Sequence, residues 1–124
     1  MFDIFSLFSK KKKTYGKLPK IVFIISSYDD ISQETLFFLK KKYNIAQITS
    51  LEQNEAGKFF YNGHLDIKDV PDLIILCHDK LEFHLEQPEI LYKAEIVHSR
   101  CCFSESVFEN ALSHFSDALI NNGK

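Results

Sequence analysis

Val70-Pro71-Asp72-Leu73-Ile74-Ile75-Leu76-Cys77 is the stretch on which the reading of this chain turns. Leu73–Cys77 is apolar at every position, with no polar alternation. A strand of that kind is covered on both faces, which is the condition of a central strand in a parallel sheet. Pro71 and Asp72 supply the turn that feeds it. Lys20-Ile21-Val22-Phe23-Ile24-Ile25-Ser26-Ser27 is a second run of the same type. Two such runs predict an α/β chain: a single-domain, three-layer sandwich around a mixed, mainly parallel sheet. The alternative is an α+β arrangement with antiparallel hairpins and a C-terminal helix.

Between the two runs the pattern changes period. Asp30 with Gln33 offers a capping box, and Ile31, Thr35, Phe38 and Leu39 mark the buried stripe of a helix running to about Tyr43. Lys40, Lys41 and Lys42 fall in its last turn, where cations complement the helix dipole, and Asn44 can end it. Residues 45–49 form a short parallel strand. Asn62-Gly63 predicts a two-residue hairpin between β-like flanks. Residues 80–97 alternate apolar and polar, which favours strands, although a crossover helix over 80–93 competes. Ser106 with Glu109 caps a terminal helix whose stripe is Val107, Phe108, Ala111, Leu112, Phe115 and Leu119.

The 124 residues make one domain with a single core, residues 20–124, preceded by a tail and linker over residues 1–19. The net charge of −2 is divided unevenly. Residues 1–20 hold six lysines and one aspartate; residues 21–124 hold nine basic and sixteen acidic residues, a balance of −7. An acidic body repels nucleic-acid backbones. The tail is amphipathic and then polybasic. Phe2, Phe5 and Phe8 stand among the apolar positions of a helical pattern, and Lys10, Lys11, Lys12 and Lys13 follow. That combination suits an anionic membrane surface or a protein partner. The positive charge follows the apolar stretch instead of preceding it, unlike a secretory signal, and no apolar run approaches the roughly 20 residues of a membrane span. An odd count of three cysteines, two adjacent, suits a reducing compartment. The expected location is cytoplasmic, peripheral on the inner face of a membrane where the tail engages it.

Strand one ending at Asp29-Asp30, the helix, the second strand and then Pro71-Asp72-Leu73-Ile74-Ile75-Leu76 together resemble the receiver domain of two-component response regulators, over residues 20–77. The resemblance implies a flavodoxin-like sheet, an acidic pair for Mg²⁺ at Asp29 and Asp30, and a phosphoacceptor aspartate after Leu76. Cys77 stands in that place, and a thiol does not supply the hard oxygen ligand Mg²⁺ prefers. Ser99 is a stand-in for the family's hydroxyl residue, and no late Lys-Pro pair occurs. The resemblance therefore implies a phosphorylation-incompetent relative.

Three groups of residues remain as candidate sites. Asp29, Asp30 and Asp79 can line an acidic pocket at the carboxyl edge of the sheet. Cys77, His78, His98, Cys101 and Cys102 can converge as soft ligands for Zn²⁺, though their spacing matches no established zinc pattern. Cys101 and Cys102 follow Arg100 and precede a helix, a setting that can activate a thiol. No Gly-rich loop for nucleotide phosphates follows the first strand. These features predict a non-catalytic regulatory or adaptor domain that acts through protein–protein contacts. A metal-binding or thiol-dependent small enzyme or redox sensor is the alternative.

Overall fold

The structure, a computed structural model, describes residues 16–122, with side chains through residue 117. The tail residues Phe2, Phe5, Phe8 and Lys10–Lys13, and the side chain of Leu119, lie outside the described residues. Four strands form one wholly parallel sheet: β1 (Ile21–Ser26), β2 (Gln47–Ser50), β5 (Leu73–Cys77) and β6 (Glu95–Ser99), in the spatial order β2-β1-β5-β6. The antiparallel pair is separate, a two-stranded ribbon of β3 (Glu52–Gln53) and β4 (Phe59–Phe60). Two helices, α1 (Gln33–Tyr43) and α2 (Glu105–Asn122), complete the α/β fold.

The two apolar runs are the two central strands, paired in register from Val22 opposite Leu73 to Ser26 opposite Cys77. Their side chains divide between two cores. Val22, Ile24, Leu73, Ile75 and Cys77 face α1 and α2, where Leu36, Leu39, Phe108, Leu112 and Phe115 meet them. Phe23, Ile25, Ile74 and Leu76 face the opposite side, against Leu51, Phe59 and Ile90. Asp72 has a structural task at the amino ends of the strands. Its carboxylate accepts from the amides of Lys20 (2.6 Å) and Ile21 (3.4 Å), its own amide donates to the Ile21 carbonyl, and its carbonyl accepts from the Glu95 amide. One residue thus ties three strands together. Residues 16–19, expected as linker, are fastened to the body: the amides of Gly16 and Lys17 donate to Ser116 Oγ, and Pro19 is buried.

Both helix caps are displaced from their expected positions. Ser32, not Asp30, caps α1: its side chain accepts from the Thr35 amide at 3.1 Å. The later start places Ile31 just before the cap and Leu36 at the fourth helical position, both in the helix-side core, which is the arrangement of a hydrophobic staple. It also turns the buried stripe to Leu36 and Leu39, leaving Thr35 and Phe38 exposed. Asn44 closes the helix in the left-handed conformation (φ 58°), which an Asn tolerates better than most residues. Ser104, not Ser106, caps α2, its hydroxyl accepting from the Val107 amide. Glu109 is thereby free to meet Tyr43.

The Asn62-Gly63 hairpin does not form. The chain turns earlier, at residues 54–57, where Asn54 Oδ1 accepts from the amides of Ala56 and Lys58 and Gly57 takes φ 84°. Residues 80–94 are neither a hairpin nor a crossover helix. They run as an irregular segment with one 3₁₀ turn (Pro88–Leu91) and a single bridge from Leu85 to Phe59.

Candidate functional site

With the order β2-β1-β5-β6, the chain steps to one side of β1 and then returns to its other side. The topological switch therefore lies between the carboxyl ends of β1 and β5, where open α/β sheets gather ligands. Ser26-Ser27-Tyr28 leaves β1 there, and Cys77-His78-Asp79 leaves β5.

In this molecule those residues bond to one another. Ser27 Oγ lies 2.6 Å from His78 Nδ1. His98 donates from Nε2 to the His78 carbonyl at 2.7 Å, an acceptor that fixes the proton on that nitrogen. The Tyr28 hydroxyl donates to Asp79 Oδ1 (2.6 Å) and lies 2.9 Å from the Arg100 carbonyl, so it fastens the ends of β1 and β5 to the loop after β6. The Asp79 carboxylate, helped by desolvation, pushes the Tyr28 phenol up to about 12. Ser99 Oγ meets Cys101 Sγ at 3.0 Å.

The expected metal ligands differ in exposure and in the bonds they make. Cys77 is fully buried in the helix-side core, whereas Cys101 and Cys102 are exposed. His78 and His98 are engaged with Ser27 and with backbone. Among the described residues no three side chains of His, Cys, Asp or Glu are grouped to hold a metal ion. Thiol activation fares no better. Burial, and then the neighbouring Cys101 and Cys102, push the Cys77 thiol up to about 11, and the hydrogen bond with Asp29 raises Cys102. Both shifts run opposite to what a nucleophilic thiol needs. Cys77 is also enclosed, with none of its surface exposed.

The acidic trio separates too. Asp29 and Asp30 line a polar cleft of about 670 Å³ with Ser50, Glu52 and Gln53, between the ends of β1 and β2. Asp79 does not line it and is held by Tyr28 instead.

A different cavity is apolar. A groove of about 770 Å³ runs beside β6, lined by Leu81, Phe83, Leu85, Leu91 and Ile96 together with Lys58, Glu82 and His98. Among the described residues β6 pairs only with β5, and its Ile96 and His98, in register with Ile74 and Leu76, turn to the groove. Sequence reasoning missed this site because the alternation of Leu81, Phe83 and Leu85 reads as a strand with one buried face. In the fold Leu81 is 63% exposed, and its neighbours form a groove wall. The available signal was Pro88, preceded by Gln87, which interrupts either a helix or a strand over residues 80–94.

Residues 17–123 match the family model described as a domain of unknown function (DUF5099). The chain belongs to that family. No curated protein and no solved structure matches it. Among the described residues of this DUF5099 domain, no helix is long and apolar enough to cross a membrane.

Proposed function

We propose that the domain is a regulatory or adaptor module that works by binding another protein, and that the groove beside β6 is where an extended segment of that partner docks. One observation carries the reading: an apolar groove of about 770 Å³ opens beside β6, a strand that among the described residues is paired on one side only. An edge strand offers backbone donors and acceptors to an incoming strand, and pockets beside it select that strand's alternate side chains. The switch-point residues support the same reading, because they are spent on bonds to one another. Recruitment to a membrane surface by residues 1–13 belongs to this proposal as a second, separable contact.

Selection of displayed random peptides against the full chain tests the docking site. Enriched peptides are expected to be extended, with apolar residues at alternate positions. Their binding should fall at least tenfold in Ile96→Glu, which places a charge in the groove, and should protect the β6 amides from hydrogen exchange. Peptides that bind Ile96→Glu as well as the parent would sink the reading.

A further inference from the structure

We propose that the outward face of α1 is a membrane-contact surface, seated on anionic phospholipid with Phe37 and Phe38 entering the headgroup boundary. Leu36 and Leu39 point into the core, so at 100° per residue Phe37, Phe38 and Lys41 project away from it. Adjacent phenylalanines that are 60% and 52% exposed leave more than half of their surface outside the fold. Lys41 Nζ sits 5.3 Å from the centre of the Phe37 ring, and Lys42 Nζ sits 5.6 Å from that of Phe38, so cations and rings stand at one level.

Charge selects the occupant. Lys40, Lys41 and Lys42 are three of the nine basic residues in a body whose balance is −7. Among the described residues only Lys42 of the three has a carboxylate partner, Glu105. Lys40 and Lys41 thus present a local positive turn on an acidic body, which complements an anionic surface. The aromatic rings suit a bilayer, which takes up apolar side chains beneath its charged surface. A surface helix bound to lipid buries apolar side chains in the interface while long lysines reach back to the phosphates. A duplex phosphate backbone would instead require the cations foremost, and the balance of −7 over the body disfavours a single strand stacked on the rings. The inference extends the recruitment reading from the tail to a folded element, and its test separates the two.

Flotation of the full chain with vesicles of phosphatidylcholine containing phosphatidylserine, at low salt, should carry the protein upward; pure phosphatidylcholine should not. Phe37→Ser/Phe38→Ser and, separately, Lys40→Glu/Lys41→Glu should each weaken partition by about tenfold with unchanged circular dichroism, since all four sites are exposed. A chain with Lys10–Lys13 replaced by Gln should retain part of its binding, and that part should vanish with the α1 changes. The protein contains no Trp, so Phe38→Trp gives a single tryptophan, excited apart from the tyrosines, whose emission should shift to the blue on the mixed vesicles. Parental binding by both α1 variants overturns this proposal and leaves the tail reading intact. A parent that stays unbound, or an unshifted emission from the Phe38→Trp variant, also overturns it and assigns the rings to a protein partner instead.

Discussion

The two faces of the sheet are built by different means. On one face α1 and α2 lay regular apolar stripes on Val22, Ile24, Leu73 and Ile75. On the other, a two-stranded ribbon and irregular chain cover Phe23, Ile25, Ile74 and Leu76 with isolated side chains such as Phe59 and Ile90. The buried residues are equally apolar on both sides. The coverings differ: helices satisfy their own backbone groups, whereas irregular chain must find partners one at a time. The face with the irregular cover is also the face with the groove. A helix laid along residues 80–94 would fill that space, so the groove and the missing regular structure are one feature.

That contrast is open to attack by mutation. The largest effect should come from Phe108→Ala. Phe108 is fully buried, lies in edge contact with Phe103 and tilts against Tyr43. Its truncation leaves a cavity that rigid helices close poorly, and the loss should be about 3–5 kcal/mol in urea unfolding. Ile90→Ala removes a side chain just as buried on the opposite face. The 3₁₀ turn that carries it can collapse inward, so the expected cost is about 2–3 kcal/mol, toward the low end of the range for such truncations. Hydrogen exchange should report local opening of residues 80–94 in this variant and global loss in the other. Equal costs with global loss in both would show the two coverings to be one cooperative unit.

The same contrast explains what is legible in the sequence. Both central strands, both helices and the parallel sheet follow from runs and periods in the residue pattern, because a continuous apolar strand or a helical stripe has few other uses. Caps are recognisable by type and misplaced by two residues, since several Ser and Asp residues stand near each helix start and only packing selects among them. Ser32 wins because it lets Ile31 and Leu36 meet the core. Asn62-Gly63 fails as a turn because Asn54 and Gly57 close the ribbon first, through side-chain bonds to the backbone. The polar site is legible as a place and not as an arrangement. Tyr28, which organises it, escapes a reading of the sequence because its partners Asp79 and the Arg100 carbonyl lie 51 and 72 positions away.

A third test concerns how the irregular face is stitched. Gln87 Oε1 accepts from the Tyr61 amide at 2.8 Å, and Gln87 Nε2 donates to the Tyr61 carbonyl at 3.0 Å. One side-chain amide therefore takes the place of a neighbouring strand, and it holds Tyr61 where its ring stacks on Phe23 at 5.3 Å. Gln87→Ala leaves both part-buried backbone groups without that partner and should cost about 1–2 kcal/mol. Gln87→Glu keeps the acceptor and loses the donor, so it should fall between parent and Ala. If Glu matches Ala, the carbonyl bond carries the stitch.

The helix face has one polar clasp of its own, and it should give the smallest effect. The Tyr43 hydroxyl stands between Glu105 Oε2 (2.7 Å) and Glu109 Oε2 (2.6 Å), and Lys42 Nζ donates to Glu105 at 2.6 Å. Burial, followed by the bonds to the two carboxylates, raises the Tyr43 phenol above its ordinary 10.0. Lys42 and then Tyr43 hold Glu105 below its ordinary 4.5. Tyr43→Phe should cost about 1 kcal/mol near neutral pH. The raised phenol contributes stability that is whole below about pH 10 and is lost as the pH climbs through its folded value, because the unfolded chain gives up the proton first. The lowered carboxyl contributes stability present above its unfolded value and lost as the pH falls through its folded one. Removing the hydroxyl removes the first contribution and part of the second. The stability gap between parent and Tyr43→Phe should therefore be widest between about pH 5 and 10 and should narrow at both ends. A gap that stays constant across that range and beyond it would mean that the hydroxyl acts through packing alone, and that the helix face has no polar clasp to set against the Gln87 stitch.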